Sequence, residues 1–196
     1  MHKVSKTGGM QKSSLILPVH ARIFLVMFLI SFECATCMHA LSIEEIVVKN
    51  KSDLEKIVVE EISKIESGLT VIGRQIPTND STTIDILCQD YNGQLVVLKL
   101  SLNEDNMMLF EGLHILNEIN CVRRMLKFFN KNHKINDKEP GRLILLAPSF
   151  SNDLLAIANG ISSVRIALYE WEYLRFGDNK ALRVTPISLS QASNNR

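Results

Sequence analysis

Residues 82–100 read TTIDILCQDYNGQLVVLKL and carry the clearest structural pattern in the chain. In the first half, Ile84 and Ile86 alternate with Asp85, which is the period of a β-strand. The second half is rich in Val and Leu. Asn92-Gly93 lies between the halves and is a strong signal for a turn between antiparallel strands. The sequence therefore predicts a β-hairpin within this stretch.

A helix and a further strand are predicted before the hairpin. Ser52 and Glu55 fit a helix capping box, and apolar residues recur at helical spacing after them. Gly68 stands where a glycine commonly ends a helix. The short apolar run at 69–76, which stops at Pro77, predicts the first strand.

The sequence after the hairpin alternates between helical and strand-like patterns. An apolar stripe at helical spacing predicts a long helix from about residue 105 to 131. A polar loop, a strand at 143–147, a short helix at 151–160 and a strand at 164–176 follow. The resulting order is α-β-β-β-α-β-α-β. It predicts an α/β fold in which helices flank a mixed β-sheet on both faces.

Three segments together resemble a known family. They are GLTVIGRQ at 68–75, TTIDIL with NGQLVVL at 82–98, and RLILLAPSFS at 142–151. They resemble the NucS-like branch of the PD-(D/E)XK nucleases, and in particular the C-terminal nuclease domain of NucS-like endonucleases. The resemblance implies a restriction-endonuclease-like sheet, DNA as the partner, and an active site on the second and third strands.

In that family an Asp on the second strand acts with a Glu-x-Lys motif on the third. The carboxylates hold Mg²⁺, and the Lys helps to orient or activate the attacking water. Asp85 occupies the Asp position, although by itself it could be an ordinary polar residue of a half-exposed strand. Lys99 stands where the Glu is expected, and Ser101 where the Lys is expected. Because a lysine repels a metal ion, we expect Asp85 and Lys99 to form a salt bridge.

A relocated metal site is the alternative. Glu55 on the first helix matches a position that is often acidic in related nucleases, and Glu111 on the long helix falls where relatives commonly have a Gln. Together with Asp85 they could bind Mg²⁺; otherwise they are solvated charges on helix faces. Mg²⁺ is expected as a cofactor only if the protein is active. The candidate catalytic residues are Asp85, Lys99, Ser101 and Glu111, and the candidate metal ligands are Asp85 and Glu55.

Two basic segments are candidates for nucleic-acid contacts. Arg74 and Gln75 match the Gly-Arg-Gln signature of the family, and they could contact phosphate or only close the first strand. Arg123 and Arg124 begin a basic stretch of the long helix that continues to Lys131. This stretch could follow a nucleic-acid backbone. The helix dipole also favours basic residues near a helix C-terminus.

Composition restricts the partners. The chain has 196 residues and a formal net charge of +1, so binding to nucleic acid would need local basic patches. Cys88 and Cys121 lie in apolar segments and are interpreted as buried thiols of a reduced cytosolic protein. Cys34 and Cys37 form a CxxC motif, but no second ligand pair completes a metal site. No motif for a small-molecule cofactor occurs, and a homodimer is left open.

The first forty residues allow two interpretations. Basic residues, an apolar run at 23–32 and small residues after it resemble a signal peptide, which would export or anchor the protein. The run is short for a membrane span. Alternatively, translation starts at Met38 and the protein is cytoplasmic. We predict an extension at 1–40 without a separate DNA-binding domain, a nuclease-like domain at 41–180 and a polar tail at 181–196.

Three functional hypotheses follow from these observations. The first is a nuclease-fold domain that binds DNA with absent or reduced cleavage, because Lys99 and Ser101 replace the motif residues. The second is an active divergent DNA endonuclease with a relocated metal site. The third, which rests on residues 1–40 alone, is an exported or membrane-tethered protein without enzymatic activity.

Overall fold

The computed structural model describes residues 42–78 and 82–187. In chain order, the elements of these residues are β1 (Ile43–Glu45), α1 (Lys51–Glu60), a 3₁₀ turn (Ile62–Lys64), β2 (Thr70–Pro77), β3 (Thr83–Gln89), β4 (Leu95–Leu100), α2 (Met107–Phe129), β5 (Arg142–Ala147), α3 (Asn152–Gly160), β6 (Ile166–Phe176) and β7 (Asn179–Ile187). The predicted order α-β-β-β-α-β-α-β is confirmed from α1 to β6. Strands β1 and β7 are additional.

The strands form one mixed sheet in the order β1-β6-β5-β4-β3-β2, and β7 also pairs with β6. Strands β2, β3 and β4 are antiparallel neighbours, which agrees with the predicted hairpin. Strands β4, β5 and β6 run parallel, with α2 and α3 as the crossover helices. Strands β1 and β7 are antiparallel to β6. The predicted α/β class with a mixed sheet is confirmed.

Helices cover both faces of the sheet. One face packs against α2 and α3 in a hydrophobic cluster that includes Val97 and Leu109. The other face packs against α1 through Leu54 and Val58. Strands β4 and β5 are buried along their whole lengths and lie at the centre of the sheet, between the helices on its two faces.

Helix α1 starts and ends earlier than predicted. Its N-cap is Asn50, whose side-chain oxygen accepts a hydrogen bond from the Asp53 N–H at 2.9 Å. Ser52 therefore lies inside the first turn, and the predicted Ser52–Glu55 capping box is wrong. The helix ends at Glu60. Gly68, with a φ of +90°, belongs instead to the turn that leads into β2.

The sequence patterns do not predict β1 or β7. Strand β1 has three exposed residues and so shows no apolar alternation. In β7 only Leu182 is buried, so the segment has the composition of a polar tail. Gly177, at a φ of +58°, reverses the chain after β6, and β7 then pairs along β6. The sheet therefore continues through the boundary predicted at residue 180, and residues 188–196 lie outside the described ranges.

Within the ranges 42–78 and 82–187, the helices are too short or too polar to cross a membrane. The apolar run at 23–32 and the Cys34–Cys37 pair lie outside these ranges, so the interpretations of the N-terminal segment stay predictions. Cys88 is buried as expected. Cys121 is exposed, because it lies on the solvent side of α2, and its predicted burial is wrong.

A buried charge network connects the segment before β2 to the centre of the sheet. Arg142, at the start of β5, is almost fully buried and makes two hydrogen bonds to the Glu66 carboxylate, at 2.9 and 2.5 Å. The Tyr169 hydroxyl donates to the same carboxylate at 3.0 Å. Burial raises the pKa of Tyr169 to about 12, and the charge of Glu66 adds to this effect. Burial also raises the pKa of the Cys88 thiol to about 12.

We expect the protein to lose stability as the pH rises from 9.0 to about 12. Cys88 and Tyr169 have folded-state pKa values above their ordinary values of 9.0 and 10.0, so the folded state keeps protons that the unfolded state releases. The stabilisation that these two groups contribute is complete below pH 9.0 and is lost as the pH rises toward about 12. Urea denaturation at a series of pH values measures the free energy of unfolding.

The Tyr169→Phe variant isolates the tyrosine contribution. Above pH 10.0 its stability should fall less steeply than that of the wild type, because it has no phenol to ionise. Tyr91→Phe, at an exposed tyrosine, is the matched control and should follow the wild type. If both variants follow the wild type, Tyr169 does not contribute to the alkaline loss.

Candidate functional site

The candidate site lies where β3 and β4 separate. The two strands pair from Gln89–Leu95 as far as Ile86–Leu98. Beyond this point β3 stays paired with β2, and the end of β4 stays paired with β5. A gap opens between the two strands, and the side chain of Asp85 enters it.

Asp85 is 2% exposed and uses both of its carboxylate oxygens. Oδ2 accepts a hydrogen bond from the Leu100 N–H at 2.7 Å. The carboxylate thus takes the place of a backbone carbonyl of β3, which no longer pairs with β4 at this point. Oδ1 forms a salt bridge with Lys51 Nζ at 2.8 Å. Lys51 lies in the first turn of α1. A lysine from the neighbouring helix thus neutralises the charge of Asp85.

A second buried carboxylate, Glu55, lies one turn after Lys51 on α1. Gln75 Nε2 donates a hydrogen bond to Glu55 Oε1. Burial and the negative charge of Asp85 raise the pKa of Glu55, while the Gln75 hydrogen bond and the charges of Lys51 and Arg74 act in the opposite direction. Two buried carboxylates therefore share this site with two cations.

Gln75 has an unusual backbone conformation, with a φ of +50° in the left-handed region. A residue with a Cβ atom in this region costs roughly 1–2 kcal/mol. Gln75 lies across from Asp85, between the ladder pairs Arg74–Ile86 and Ile76–Ile84. Strained backbone of this kind concentrates at functional sites. Here it accompanies the hydrogen bond from the Gln75 amide to Glu55.

Lys99 pairs with Glu111 on α2 instead of Asp85. The Lys99 side chain is almost buried, and its Nζ lies 2.6 Å from Glu111 Oε2. An extension of the β3–β4 register would place Lys99 across from Asp85, but the strands have separated before this pair. The predicted Asp85–Lys99 salt bridge is wrong, because each residue reaches a partner on a different helix.

Three other predicted site residues lie in the turn after β4 and in the C-terminal half of α2. The Ser101 hydroxyl donates to the Asn103 carbonyl oxygen at 2.7 Å and accepts from the Asn103 N–H at 3.3 Å, in the turn after β4. Arg123 and Arg124 lie about 18 Å along α2 from Glu111, at a rise of roughly 1.5 Å per residue. The two arginines therefore do not belong to the group of charges around Asp85.

A family model for the C-terminal domain of the endonuclease NucS matches residues 50–167, which is more than half of the chain. The chain belongs to the NucS C-terminal domain family. The resemblance seen in the sequence is thereby confirmed. Among curated protein sequences, no match to this NucS-type domain was found.

Several solved structures are similar to this NucS-type domain. One is a repair endonuclease from Pyrococcus abyssi, with 21% identity and a TM-score of 0.41 over 65% of this chain and 50% of that chain. A complex of EndoMS with double-stranded DNA has 19% identity and a TM-score of 0.42, over 65% and 47% of the two chains. EndoMS in its apo form has 21% identity and a TM-score of 0.40, over 63% and 47%. The matched part spans about half of each of these chains.

NucS-like nucleases depend on a metal ion, but the arrangement of residues in this NucS-type domain does not fit one. In the ranges 42–78 and 82–187, no three His, Cys, Asp or Glu side chains are grouped to hold a metal ion. Both oxygens of Asp85 have partners, and one partner is a cation. The structure brings Glu55 close to Asp85 but pairs Glu111 with Lys99.

The sequence patterns of this NucS-type domain do not identify Lys51 as a site residue. Its signal is the position four residues before Glu55, because residues i and i+4 share one face of a helix. A helix predicted to begin at Ser52 excludes Lys51, so this relation is lost. The partner of Gln75 has no signal in the sequence, because the hydrogen bond to Glu55 depends on how α1 packs against β2.

Proposed function

We propose that this NucS-type domain binds DNA and has lost most or all Mg²⁺-dependent cleavage. One observation carries the proposal: Lys51 Nζ lies 2.8 Å from Asp85, whose counterpart in this family holds the metal. The other oxygen of Asp85 accepts the Leu100 N–H. A lysine neutralises the carboxylate, but unlike Mg²⁺ it has no coordination positions for water and phosphate. The arrangement therefore supports a site in which Lys51 neutralises Asp85 and no metal ion activates water for hydrolysis.

DNA binding does not require that metal. The edge of the sheet near the site presents positive charge, because Lys51 is partly exposed and Arg74 is exposed on the edge strand β2. Lysine and arginine contacts to phosphate supply most of the sequence-independent affinity of DNA-binding proteins. The family is one of endonucleases, whose substrate is nucleic acid. We assign Arg74 as the main phosphate contact at this edge.

Reversal of one charge tests this assignment. Arg74→Glu should weaken the binding of a mismatched duplex about tenfold and reduce the slope of log K against log salt by about 1, because a phosphate contact is lost. Fluorescence anisotropy in the presence of EDTA measures both quantities. Arg183→Glu makes the same charge change on β7, which pairs with β6 far from the β2 edge, and should change affinity less than about twofold. Equal losses in the two variants would contradict the assignment.

Cleavage assays separate this proposal from an active enzyme with a relocated metal site. Single-stranded, mismatched and branched DNA are incubated with Mg²⁺ or Mn²⁺, beside the Asp85→Asn variant. Asparagine keeps an acceptor for the Leu100 N–H, so the variant should fold. DNA binding without cleavage supports the proposal. Cleavage that Asp85→Asn abolishes would establish the active enzyme, and the absence of both binding and cleavage would leave only the fold.

A further inference from the structure

A basic and aromatic surface lies at the end of α2 that is remote from Asp85. Phe128 and Phe129 are 68% and 72% exposed, and their rings meet edge to face with centroids 5.4 Å apart. Lys131 Nζ lies 5.7 Å from the centroid of the Phe128 ring, and Arg124 is exposed one turn earlier. We call these four residues the distal patch. Phe128 is about 26 Å along α2 from Glu111, so the distal patch is separate from the candidate site.

The surroundings of the distal patch are far more basic than the chain as a whole. The chain has a net charge of +1, yet the segment 119–136 contains five cations and no acidic residue. The five cations are Arg123, Arg124, Lys127, Lys131 and Lys134. The helix dipole acts only within about the last turn, so it does not explain the two arginines or Lys134. Lys127 is already paired with Asp137 at 2.5 Å.

Packing of the core does not explain the two phenylalanines. Helix α2 packs on the sheet through residues such as Leu109 and Leu116, and Phe128 and Phe129 project into solvent. Exposed aromatic surface forgoes the free energy that burial would supply. Apolar surface that is bordered by charged groups commonly marks a binding site.

We infer that the distal patch binds single-stranded nucleic acid. Proteins that bind single strands stack unpaired bases on aromatic rings and hold the phosphates with lysine and arginine. The distal patch brings both kinds of side chain together at the C-terminal end of α2 and just beyond it. The surplus of positive charge favours an anionic polymer. A second copy of the chain would bring two sets of like charges together, which is unfavourable. The inference rests on the proposed function in one respect: nucleic acid is the substrate of this family.

The test measures binding of the full chain to a labelled oligothymidine of about 15 nucleotides, in EDTA. Phe128→Ala and Phe129→Ala should each weaken binding about tenfold, because each removes a stacking surface. Phe128→Trp keeps such a surface and should retain the affinity of the wild type. Phe110→Ala, at an exposed phenylalanine on the same helix but outside the distal patch, is the matched control and should have no effect.

Parallel measurements distinguish failure of this inference from failure of the proposed function. A wild-type protein that binds duplex DNA but not oligothymidine would overturn the inference alone. If oligothymidine binding depends on Phe128, the inference is supported. If duplex binding is at the same time insensitive to Arg74→Glu, the assignment of Arg74 at the β2 edge is wrong. Suppose instead that the phenylalanine variants keep their affinity for oligothymidine but lose binding to phosphatidylserine vesicles or lose dimerisation. The distal patch would then be a membrane or self-association surface, and the inference would be wrong.

Discussion

Gly93→Ala is expected to lower the free energy of unfolding by roughly 3–5 kcal/mol. A Cβ atom at position 93 would lie 1.9 Å from the Lys134 carbonyl oxygen and 3.1 Å from the Asn136 nitrogen. Both are backbone atoms, so no side chain can rotate away to relieve the clash. The φ of +81° at Gly93 adds the ordinary cost of a left-handed conformation, roughly 1–2 kcal/mol.

The segment that carries Lys134 cannot easily move. The Asn136 N–H donates to the Gly93 carbonyl oxygen at 2.7 Å. Gln94 Nε2 donates to the Pro140 carbonyl oxygen at 2.8 Å, and Ile135 is buried. A shift that made room for a Cβ atom would therefore break several contacts between this loop and the β3–β4 connection.

Gly177→Ala supplies the matched control. Gly177 also has a positive φ, of +58°, but a Cβ atom there would meet nothing within 4 Å. Its replacement should cost only the left-handed conformation, roughly 1–2 kcal/mol. Urea denaturation of the two variants measures the difference. If the two variants are equally destabilised, the close approach of the Lys134 backbone does not contribute to the loss of stability in Gly93→Ala.

The β3–β4 connection shows what the sequence can and cannot predict. Asn92-Gly93 correctly predicts that two antiparallel strands are joined here, because the turn propensity is local. The connection is longer than a two-residue turn, and Asp90 Oδ1 organises it by accepting the N–H groups of Asn92 and Gln94 at 2.9 and 3.0 Å. The contact of Gly93 with a loop some forty residues later leaves no trace in the local pattern.

The candidate site also has a part that the sequence predicts and a part that it does not. The resemblance identifies Asp85 and the altered positions 99 and 101, because these stand at fixed offsets within two strands. The side chains that neutralise the site come from helices, and their identity depends on packing. The register alone suggests Asp85 with Lys99, whereas the helices provide Lys51 and Glu111 as the actual partners. Local sequence patterns also do not predict long-range ion pairs such as Arg142 with Glu66.

Lys51→Ala/Lys99→Glu is expected to convert the site into a metal-binding site. The first change removes the ammonium group from Asp85, and the second places a carboxylate at the position where the family has its Glu. The loss of Lys99 also releases Glu111 from its salt bridge. The variant loses both lysine–carboxylate salt bridges and gains one more carboxylate, so without metal it should be less stable than the wild type. Oxygen ligands of this kind are those that Mg²⁺ and Mn²⁺ prefer.

Thermal denaturation with and without Mg²⁺ provides the first readout. Mg²⁺ at about 100 times its dissociation constant should stabilise the double variant by about 2.7 kcal/mol, because the ion binds the folded state. The wild type should gain no such stability, since Lys51 already neutralises Asp85. Electron paramagnetic resonance of bound Mn²⁺ gives a second readout that does not depend on stability or activity.

Lys51→Ala/Lys99→Gln is the control, because it loses the same two lysines without gaining a carboxylate. It should bind metal far more weakly than the variant with the new acid. Adding Asp85→Asn to the metal-binding variant should abolish binding, since Asp85 supplies the central ligand. Metal binding by the wild type that Asp85→Asn removes would show that Mg²⁺ displaces Lys51. In that case the salt bridge in the structure would be the resting state of a working nuclease site and not its replacement.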